Sequence, residues 1–537
     1  MRPGPLWLIV LAACNAPDDG PRWRAAGATA PHRGGTLRFS SEGQISTLDP
    51  SVAYDESLNA LHFLFDTLID YEPAGTRIVP RLAERWEISD DGKTYHFWLR
   101  PNLKYADGRP IVAADFKFSL ERALTLPESP FGPMLVEVVG ATALQQGKAT
   151  ECAGVTVQGD RELTIQLQQR SVAFLHILTM KFTTPQRADH VTAAGDQIRR
   201  RPLATGPYAL DEWLEGERFV VNRNPYYFDD HRGYLDAIVM FENIPRDVQL
   251  LMFDRGELDT AERLSPPDAL WLANQEAWKP YVHVRSLMNA YGARMNVRAK
   301  PFDDVRVRRA LNYALDKSST VKILTGSSTP SHGLLAPGVF GRDDTIEPYP
   351  YDPARAKALL AEAGYRDGLD LEYVTIKNHD NDNLAVVMQA DFAKVGVRVR
   401  ITSLGIPSYI ALTNRLDGPP FSIGSWIGDY PDPTTFFDVM FHSRMIGTNN
   451  ASQYANPELD ALLDAARAEP DVDKRAAMYR RAERILYDDA PWVWNYHWRM
   501  TEVTQPYVRD YEPHPVWLRD YTTTWLDLGP DGAPVAR

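Results

Sequence analysis

A strand, a helix and a second strand follow one another between residues 369 and 401. In the stretches 369–373 and 397–401 apolar and polar side chains alternate, which is typical of a β-strand with one buried face. The intervening stretch 384–395 carries apolar residues at helical spacing and ends at Gly396, a residue type that often terminates helices. This order predicts a βαβ unit with parallel strands, and therefore an α/β sheet in this part of the chain.

The chain is too long for a single hydrophobic core. Its 537 residues are expected to form two or three domains. Before residue 300 the pattern is different, because two hairpins are predicted at 86–100 and 155–167, each around a turn with Asp and Gly. An apolar stretch at 58–69 predicts a helix. The sequence thus indicates α+β material first and an α/β lobe later, with a ligand-binding cleft between the two.

Charge and missing motifs argue against several functions. Lys and Arg total 58 against 71 Asp and Glu, giving a formal net charge of −13, which disfavours nucleic acid or an anionic membrane surface as the main partner. The 12 histidines are scattered and form no zinc-binding pattern, so neither a metal nor another cofactor is expected. The sequence also lacks a serine-nucleophile elbow, a Walker loop and a dinucleotide-binding glycine motif, so no enzymatic activity is expected.

The N-terminal residues predict export and lipid attachment. Arg2 places a positive charge before a short apolar stretch, residues 6–13, which fits a signal peptide and is too short to span a bilayer as a helix. The stretch runs into Leu-Ala-Ala-Cys, which resembles the lipobox of bacterial lipoproteins. We therefore predict a signal peptide over 1–14, with lipid on Cys14, and a flexible tether over 15–33, where Ala, Pro, Gly and Asp are frequent.

A series of short motifs runs along the chain. They are L-D-P at 48–50, L-A-E-R-W at 82–86, D-G-K-T-Y at 91–95, D-G-R-P at 107–110, T-G-P-Y at 205–208, N-P-Y-Y at 224–227, R-G-E-L-D at 255–259, and the longer stretches 304–311, 359–365 and 426–437. In these motifs and in their order, the chain resembles the extracellular solute-binding protein family 5, the dipeptide and oligopeptide receptors of ABC importers. The resemblance runs from about residue 34 to the C-terminus and so covers nearly the whole mature chain.

This resemblance implies a periplasmic-binding-protein-like type II fold of mixed α/β class, with two hinged lobes and an inserted extra domain. The first lobe would combine residues 34–72, 198–295 and 506–537. The inserted domain would occupy 73–197 and the second lobe 296–505. The family also implies a monomer outside the cytoplasm, in the periplasm or extracytoplasmic space, that captures peptides between its lobes. It would deliver them to the permease subunits of an ABC importer.

The candidate ligand contacts lie in the segment 424–430. Asp429 stands at the position of the family aspartate that pairs with a peptide's α-ammonium group. Such a charge-assisted bond is strong in a desolvated site. Trp426 would supply a flat apolar wall, and Tyr430 a ring and a hydroxyl group. The same residues also suit an ordinary turn, in which Asp429 caps the helix after 431–433 and Trp426 belongs to the core.

The opposite side of the cleft is less well defined by the sequence. Tyr54 and Asp55 lie in a loop where family members offer backbone groups and an acidic contact to the peptide. Receptors that clamp the peptide's carboxylate can carry an arginine six residues before the aspartate, but this chain has Ile423 there. Arg415 and Lys322 are possible substitutes, although neither belongs to a recognised motif. Peptide length and the carboxylate contact therefore stay open.

Other functions on the same fold stay open as well. One is a receptor for a nickel complex, haem, an opine or an oligosaccharide. Asp429 favours a ligand with a cationic amine, which weakens the oligosaccharide alternative. Another is a peptide-sensing protein that takes no part in transport, because a docking surface for a permease leaves no short motif in a sequence.

Overall fold

The structure is a computed structural model that describes residues 20–54, 56–413 and 415–537, without the side chains of His379 and Pro407. The predicted signal peptide, the lipid site at Cys14 and the candidate contact Asp55 lie outside the described residues.

The N-terminal part of the described chain contains β1 (Trp23–Arg24), β2 (Thr36–Ser40), α1 (Ser57–Leu64), β3 (Ile69–Tyr71) and β4 (Ile78–Pro80). The helix predicted at 58–69 ends earlier, at Leu64. Ile69 instead pairs with Pro80 in an antiparallel ladder. A short apolar stretch of sequence is compatible with either a buried helix or a buried strand. Here the pairing with β4 determines that residues 69–71 form a strand.

The inserted domain contains β5 (Ala83–Ile88), β6 (Thr94–Leu99), α2 (Ala113–Thr125), α3 (Ala141–Gln145), β7 (Val155–Gln158), β8 (Glu162–Gln166), α4 (Phe174–Ile177) and α5 (Ala188–Ala194). Its four strands form one antiparallel sheet in the order β5-β6-β8-β7. Both predicted hairpins, β5-β6 and β7-β8, are therefore confirmed. Phe97, Leu163 and Phe116 lie in the core beneath this sheet.

The chain then returns to the first lobe with β9 (Tyr208–Leu214), β10 (Arg218–Arg223), β11 (Ala237–Phe241), α6 (Arg246–Asp254), β12 (Thr260–Ala261), α7 (Pro266–Ala273) and β13 (Val282–Ser286). A four-stranded sheet has the order β2-β11-β10-β9, with β2 parallel to β11. The core of this lobe draws its buried residues from 37–65, 204–240 and 507–526. Three separated parts of the sequence therefore build one lobe.

The second lobe contains β14 (Asn289–Met295), α8 (Val305–Ala314), α9 (Lys317–Ile323), β15 (Ser328–Pro330), α10 (Pro353–Glu362), β16 (Leu369–Ile376), α11 (His379–Ala393), β17 (Val397–Leu404), α12 (Ile406–Thr413), β18 (Phe421–Ile427), α13 (Thr434–Met440), α14 (Pro457–Ala468), α15 (Val472–Asp489) and β19 (Trp492–Thr504). Strands β16 and β17 are parallel and in register from Leu369 opposite Val397 to Ile376 opposite Leu404. The predicted βαβ unit is therefore confirmed. The largest sheet runs β12-β19-β14-β18-β16-β17.

Strand β19 is shared by the two lobes. Its first part pairs with β14 and β15, and its second part pairs with β13 and β12. The chain therefore crosses between the lobes at residues 287–288 and again near 497–498. These points come a few residues before the predicted boundaries at 295 and 505, which stay predictions.

Asn289 joins the two crossing segments through its side chain. It is fully buried, its amide nitrogen donates to the carbonyl oxygen of Trp498 at 3.0 Å, and the N–H of Trp498 donates to its amide oxygen at 2.8 Å. A side-chain amide thus makes both bonds that a neighbouring peptide group would make in a β-ladder. Because buried polar groups are costly to leave unpaired, this contact fixes where the two segments meet.

The described part of the predicted tether, residues 20–33, packs on the first lobe. Trp23 pairs with Ala536 of β22 (Val535–Ala536), and Arg22 forms an ion pair with Asp254 at 2.8 Å. The Trp23 ring lies so close to Gly256 that a Cβ there would be 2.5 Å from it. The C-terminal segment also contains β20 (Val508–Arg509) and β21 (Trp525–Leu526), which pair with each other. Trp23 is thus an anchor for residues 20–33. The composition of this segment, which is mostly small and polar, predicts a tether and does not indicate that the indole packs on the lobe.

Candidate functional site

The segment with the candidate ligand contacts leaves the second-lobe sheet beside the first crossing point. Strand β18 lies between β14 and β16 and ends at Ile427. The N–H of the next residue, Gly428, donates to the carbonyl oxygen of Met288 at 2.7 Å. The loop 428–433 then leads into α13. The candidate residues are therefore fixed next to the place where the chain passes between the lobes.

The Asp429 carboxylate is held by two hydroxyl groups. The Thr435 hydroxyl donates to Oδ2 at 3.1 Å, and the Tyr54 hydroxyl of the first lobe donates to Oδ1 at 3.2 Å. The side chain is half-buried, and within the described ranges no Lys, Arg or His side chain forms an ion pair with it. Tyr54, Trp426, Asp429 and Thr435 are called the Asp429 site below.

The contrast with Asp432, three residues later, is informative. Asp432 is buried, accepts a hydrogen bond from Nη2 of Arg475 at 2.8 Å and forms an ion pair with Nη1 of the same guanidinium at 2.7 Å. Burial alone would raise the pKa of Asp432, but its bonds and its attraction to Arg475 hold that pKa below the usual value. Asp432 is thus neutralised within the protein. No described residue neutralises Asp429 in this way.

The protonation of Asp429 reflects this difference. Burial raises the pKa of the Asp429 carboxyl group to about 6, and the bonds from Thr435 and Tyr54 reverse only part of that rise. A desolvated carboxylate without a neighbouring cation is costly to ionise. A cationic ligand group at this carboxylate would therefore recover the missing interaction.

Trp426 lies on the same end of β18 and is half-buried. Its ring packs against the core of the second lobe, and its Nε1–H donates to Thr435 Oγ1 at 3.5 Å. One part of the indole therefore packs on the core, and its Nε1–H binds the same threonine oxygen that contacts Asp429. The packing agrees with the interpretation of Trp426 as a core residue, and its role as a wall for a ligand stays a prediction.

Tyr430 points in a different direction from Asp429. It is 5% exposed and packs into the core of the inserted domain, although it belongs to the second lobe. Its ring stacks on His176 with centroids 6.2 Å apart and an interplanar angle of 13°. The structure therefore places Tyr430 between domains, where it fixes the loop that carries Asp429.

Tyr54 approaches from the first lobe and is 42% exposed. Its ring centroid lies 6.4 Å from that of Phe131 in the inserted domain. All three units of the protein therefore meet around this side chain. Asp55, the other residue predicted in this loop, lies outside the described residues.

The sequence did not indicate the role of Glu56. This carboxylate accepts from Arg263 and from Arg519, both at 3.1 Å, and from the Ser41 hydroxyl at 2.8 Å. Burial alone would raise its pKa, but the nearby Arg519 and Arg263 lower the pKa of Glu56 to about 2. Glu56 is therefore already paired with arginine, in contrast to Asp429, which forms no ion pair with a described residue.

The three positions considered for the carboxylate contact lie elsewhere. Ile423 is buried in the core of the second lobe. Arg415 is exposed and makes two bonds to Asp417, at 2.8 and 2.7 Å. Lys322 is exposed on α9. The structure does not bring any of them to Tyr54 or Asp429 within the part of the chain that it describes.

A second polar contact joins the lobes. Arg246, on α6 of the first lobe, donates to Asp380 in the first turn of α11 at 3.1 Å and also binds Glu42. Its guanidinium carbon lies 5.1 Å from the ring centroid of Trp498 in the shared strand β19. Nothing in the local sequence around Arg246 or Asp380 signals this pairing, because the two residues belong to different lobes.

Two further features of the described ranges bear on the site. No group of three or more His, Cys, Asp or Glu side chains in them is arranged to hold a metal ion. Of the helices in the same ranges, none combines the length and apolar composition that crossing a bilayer requires.

Comparison with known proteins places these observations in a family. The chain is 30% identical over 496 residues to the di/tripeptide-binding protein 3 of Pseudomonas aeruginosa, covering 87% of this chain and 91% of that protein. It is 29% identical to the heme-binding protein A of Haemophilus influenzae, covering 90% and 91%. An ABC transporter-associated periplasmic binding protein of Helicobacter pylori, solved with the peptide STSA, superposes with a TM-score of 0.81 at 25% identity, covering 93% of this chain and 99% of that one.

The superposition confirms the predicted type II periplasmic-binding-protein fold. Residues 77–448 match the family described as bacterial extracellular solute-binding proteins, family 5 Middle. The proteins of this family are solute-binding receptors, which agrees with the absence of an enzymatic motif in the sequence. On the match over these residues and the similarity across nearly its full length, the chain belongs to the bacterial extracellular solute-binding proteins of family 5.

Proposed function

We propose that this protein captures peptides between its two lobes and binds their α-ammonium group at Asp429. Trp426 provides an apolar wall beside that carboxylate, and Tyr54 closes the site from the first lobe. Tyr430 supports the loop from the side of the inserted domain. The receptor releases its ligand unchanged and catalyses no reaction.

The observation that carries this proposal is the state of Asp429. Its carboxylate is partly desolvated, oriented by the hydroxyl groups of Thr435 and Tyr54, and without a basic partner in the described residues. Two other described acids of the region, Asp432 and Glu56, are paired with arginine. A bound cation such as a peptide N-terminus is worth most at a carboxylate that the described residues leave without a basic partner, as they leave Asp429.

The partner would be the permease of an ABC importer. The family is extracellular by description, and the related proteins include receptors named for di- and tripeptides. In this proposal a lipid on Cys14 anchors a monomeric receptor to the membrane from the periplasmic side. The order of the domains, with a first lobe at 34–72, 198–295 and 506–537, an inserted domain at 73–197 and a second lobe at 296–505, is part of the same proposal.

A second candidate is a receptor for haem. It is favoured by the similarity to the heme-binding protein A of Haemophilus influenzae, which covers 90% of this chain. The Asp429 site favours the peptide, because haem carries no amine for an unpaired carboxylate to bind.

The test identifies the ligand that stays with the protein. We would express the chain from Asn15 onward, purify it without denaturants and analyse the bound molecules by native mass spectrometry and then by extraction. A set of peptides is expected in the wild type and should be absent from Asp429→Ala. The control is Asp417→Ala, because Asp417 is an exposed aspartate paired with Arg415 on the surface.

The outcomes separate the candidates. Peptides in the wild type and in Asp417→Ala, but not in Asp429→Ala, support both the peptide and its amine contact. Haem in the wild type would contradict the peptide proposal. Peptides that stay bound in Asp429→Ala would contradict the assigned role of this carboxylate.

A further inference from the structure

Thr435 is fully buried in the first turn of α13, yet it bonds to two residues of the Asp429 site. Its oxygen accepts from the main-chain N–H of Asp429 at 3.0 Å and from Nε1–H of Trp426 at 3.5 Å. Its hydroxyl group donates to Oδ2 of Asp429 at 3.1 Å. A single hydroxyl group therefore connects the carboxylate, the backbone that carries it and the indole beside it.

The direction of the hydroxyl proton follows from this geometry. A threonine hydroxyl group has one hydrogen and two acceptor lone pairs. The N–H groups of Asp429 and Trp426 can only donate, so they occupy the lone pairs. The hydrogen is left for Oδ2 of Asp429. With both N–H groups in place, the hydroxyl group presents its hydrogen to the carboxylate.

A second hydroxyl group binds the other carboxylate oxygen, since Tyr54 donates to Oδ1. An ionised carboxylate offers about four lone-pair directions. Thr435 and Tyr54 fill one on each oxygen, and the remaining directions can receive a ligand. Thr435 is the inner of the two donors and belongs to the same lobe as Asp429, so it keeps its bond when the lobes separate.

We propose that Thr435 is a positioning residue of the Asp429 site, which fixes the carboxylate and the Trp426 indole relative to each other for recognition of a ligand amine. The inference rests on the proposed function, because it assigns Thr435 a part in amine binding. The absence of a side chain at Gly428 lets the loop pack closely against α13, because a Cβ at this residue would be 3.0 Å from Phe436 and 3.2 Å from the Thr435 methyl group. The loop is thus packed tightly against the turn that presents Thr435.

A purely structural role for Thr435 predicts different behaviour. In that case the hydroxyl group would only satisfy the N–H of Asp429 at the start of α13. Its removal would lower the stability of the fold, but the protonation of Asp429 and the preference for amines would not change.

The test compares Thr435→Val, which keeps the shape, with Thr435→Ser, which keeps the hydroxyl group. The pKa of Asp429 is measured in the ligand-free protein by carbon-13 NMR, with Asp429→Asn assigning the signal. In the wild type this pKa is expected at about 6. It should rise in Thr435→Val, because the donated bond favours the ionised form, and it should stay near the wild-type value in Thr435→Ser.

The second readout is the binding ratio between trialanine and N-acetyl-trialanine, which differ in the charged amine. The preference of the wild type for the free amine should fall roughly tenfold in Thr435→Val and persist in Thr435→Ser. If Thr435→Val does not fold, Thr435→Ala removes the same hydroxyl group without the second methyl. The inference would be overturned if the folded hydroxyl-free variant kept both the wild-type pKa of Asp429 and the wild-type binding ratio. It would also be overturned if Thr435→Ser showed the raised pKa and the reduced ratio that we expect of Thr435→Val.

The two readouts also separate this inference from the proposed function. A wild type that binds neither trialanine peptide would contradict peptide capture, while the pKa of Asp429 in the ligand-free variants still decides whether Thr435 controls this carboxylate. If the wild type binds peptide but Thr435→Val changes neither the pKa of Asp429 nor the binding ratio, peptide capture is supported and the proposed role of Thr435 is contradicted.

Discussion

The Tyr54 hydroxyl group and the Asp429 carboxylate, which belong to opposite lobes, meet at 3.2 Å. This bond places a neutral donor on the carboxylate that we assign to the ligand amine. Because Tyr54 and Asp429 lie on opposite lobes, the bond also couples the contact between the lobes to the protonation of Asp429. The predictions below follow from this contact and from the other polar contacts that hold the site.

The affinity for a peptide should depend on pH through Asp429. Burial raises the pKa of this carboxyl group to about 6, so the carboxylate is protonated as pH falls through that value. The protonated form cannot pair with an ammonium group, and the dissociation constant of trialanine should rise about tenfold for each pH unit below 6. Isothermal titration calorimetry from pH 4.5 to 7.5 measures this. Asp429→Asn should bind weakly at every pH, and equal wild-type affinity at pH 5 and pH 7 would contradict the assignment.

Removing the Tyr54 hydroxyl group should weaken binding moderately. Tyr54→Phe keeps the ring beside Phe131 and deletes one bond to Asp429, which corresponds to about 0.5–1.5 kcal/mol or a few-fold loss of affinity. The pKa of Asp429 should rise, since that bond favours the ionised form. Calorimetry and carbon-13 NMR measure the two effects. Tighter binding by Tyr54→Phe would show instead that the tyrosine competes with the ligand.

Loss of the Arg246–Asp380 pair should favour the open arrangement of the lobes. The contact joins α6 to α11 across the lobes at 3.1 Å, and both side chains are about four-fifths buried. Asp380→Asn should increase the radius of gyration of the ligand-free protein in small-angle X-ray scattering and speed peptide dissociation severalfold. Asp382→Asn, in the same helical turn but bonded to Ser403 of its own lobe, is the control. Equal scattering from the two variants would argue against a role in closure.

The buried pair of Arg475 and Asp432 should matter for stability more than for ligand recognition. Arg475→Met leaves the Asp432 carboxylate buried without its cation, which should cost about 3–5 kcal/mol of unfolding free energy. Urea unfolding of the second lobe measures the loss. Arg415→Met, which breaks an exposed pair with Asp417, should change stability by less than about 1 kcal/mol. Similar losses in both variants would contradict this interpretation.

Cys14 should determine where the protein resides. The full-length wild type is expected in the membrane fraction of a bacterial host, and Cys14→Ser is expected in the soluble periplasmic fraction, because the thiol that we predict to receive lipid is gone. Fractionation followed by mass spectrometry of the N-terminal peptide measures both location and lipid. A wild type without lipid would contradict the lipobox interpretation and leave the peptide proposal untouched.

Local patterns in the sequence determined much of the fold. The alternation at 369–373 and 397–401 predicted the parallel pair β16 and β17, and the turn residues predicted both hairpins of the inserted domain. Strand periodicity and turn-forming residues are properties of residues that are neighbours in the sequence, so they can be recognised in a single sequence. The proximity of Trp426 to Asp429 is local as well, because three residues separate them at the end of one strand.

Only the tertiary structure decided which of the described acids are paired with arginine. Asp432 is neutralised by Arg475 and Glu56 by Arg263 and Arg519, all from distant segments. Among the described residues, the Asp429 carboxylate receives only hydroxyl groups, one of them from Tyr54, 375 residues away in the chain. Desolvation and charge pairing arise when remote segments pack together. The residues next to an aspartate in the sequence therefore do not show whether an arginine will pair with it in the fold.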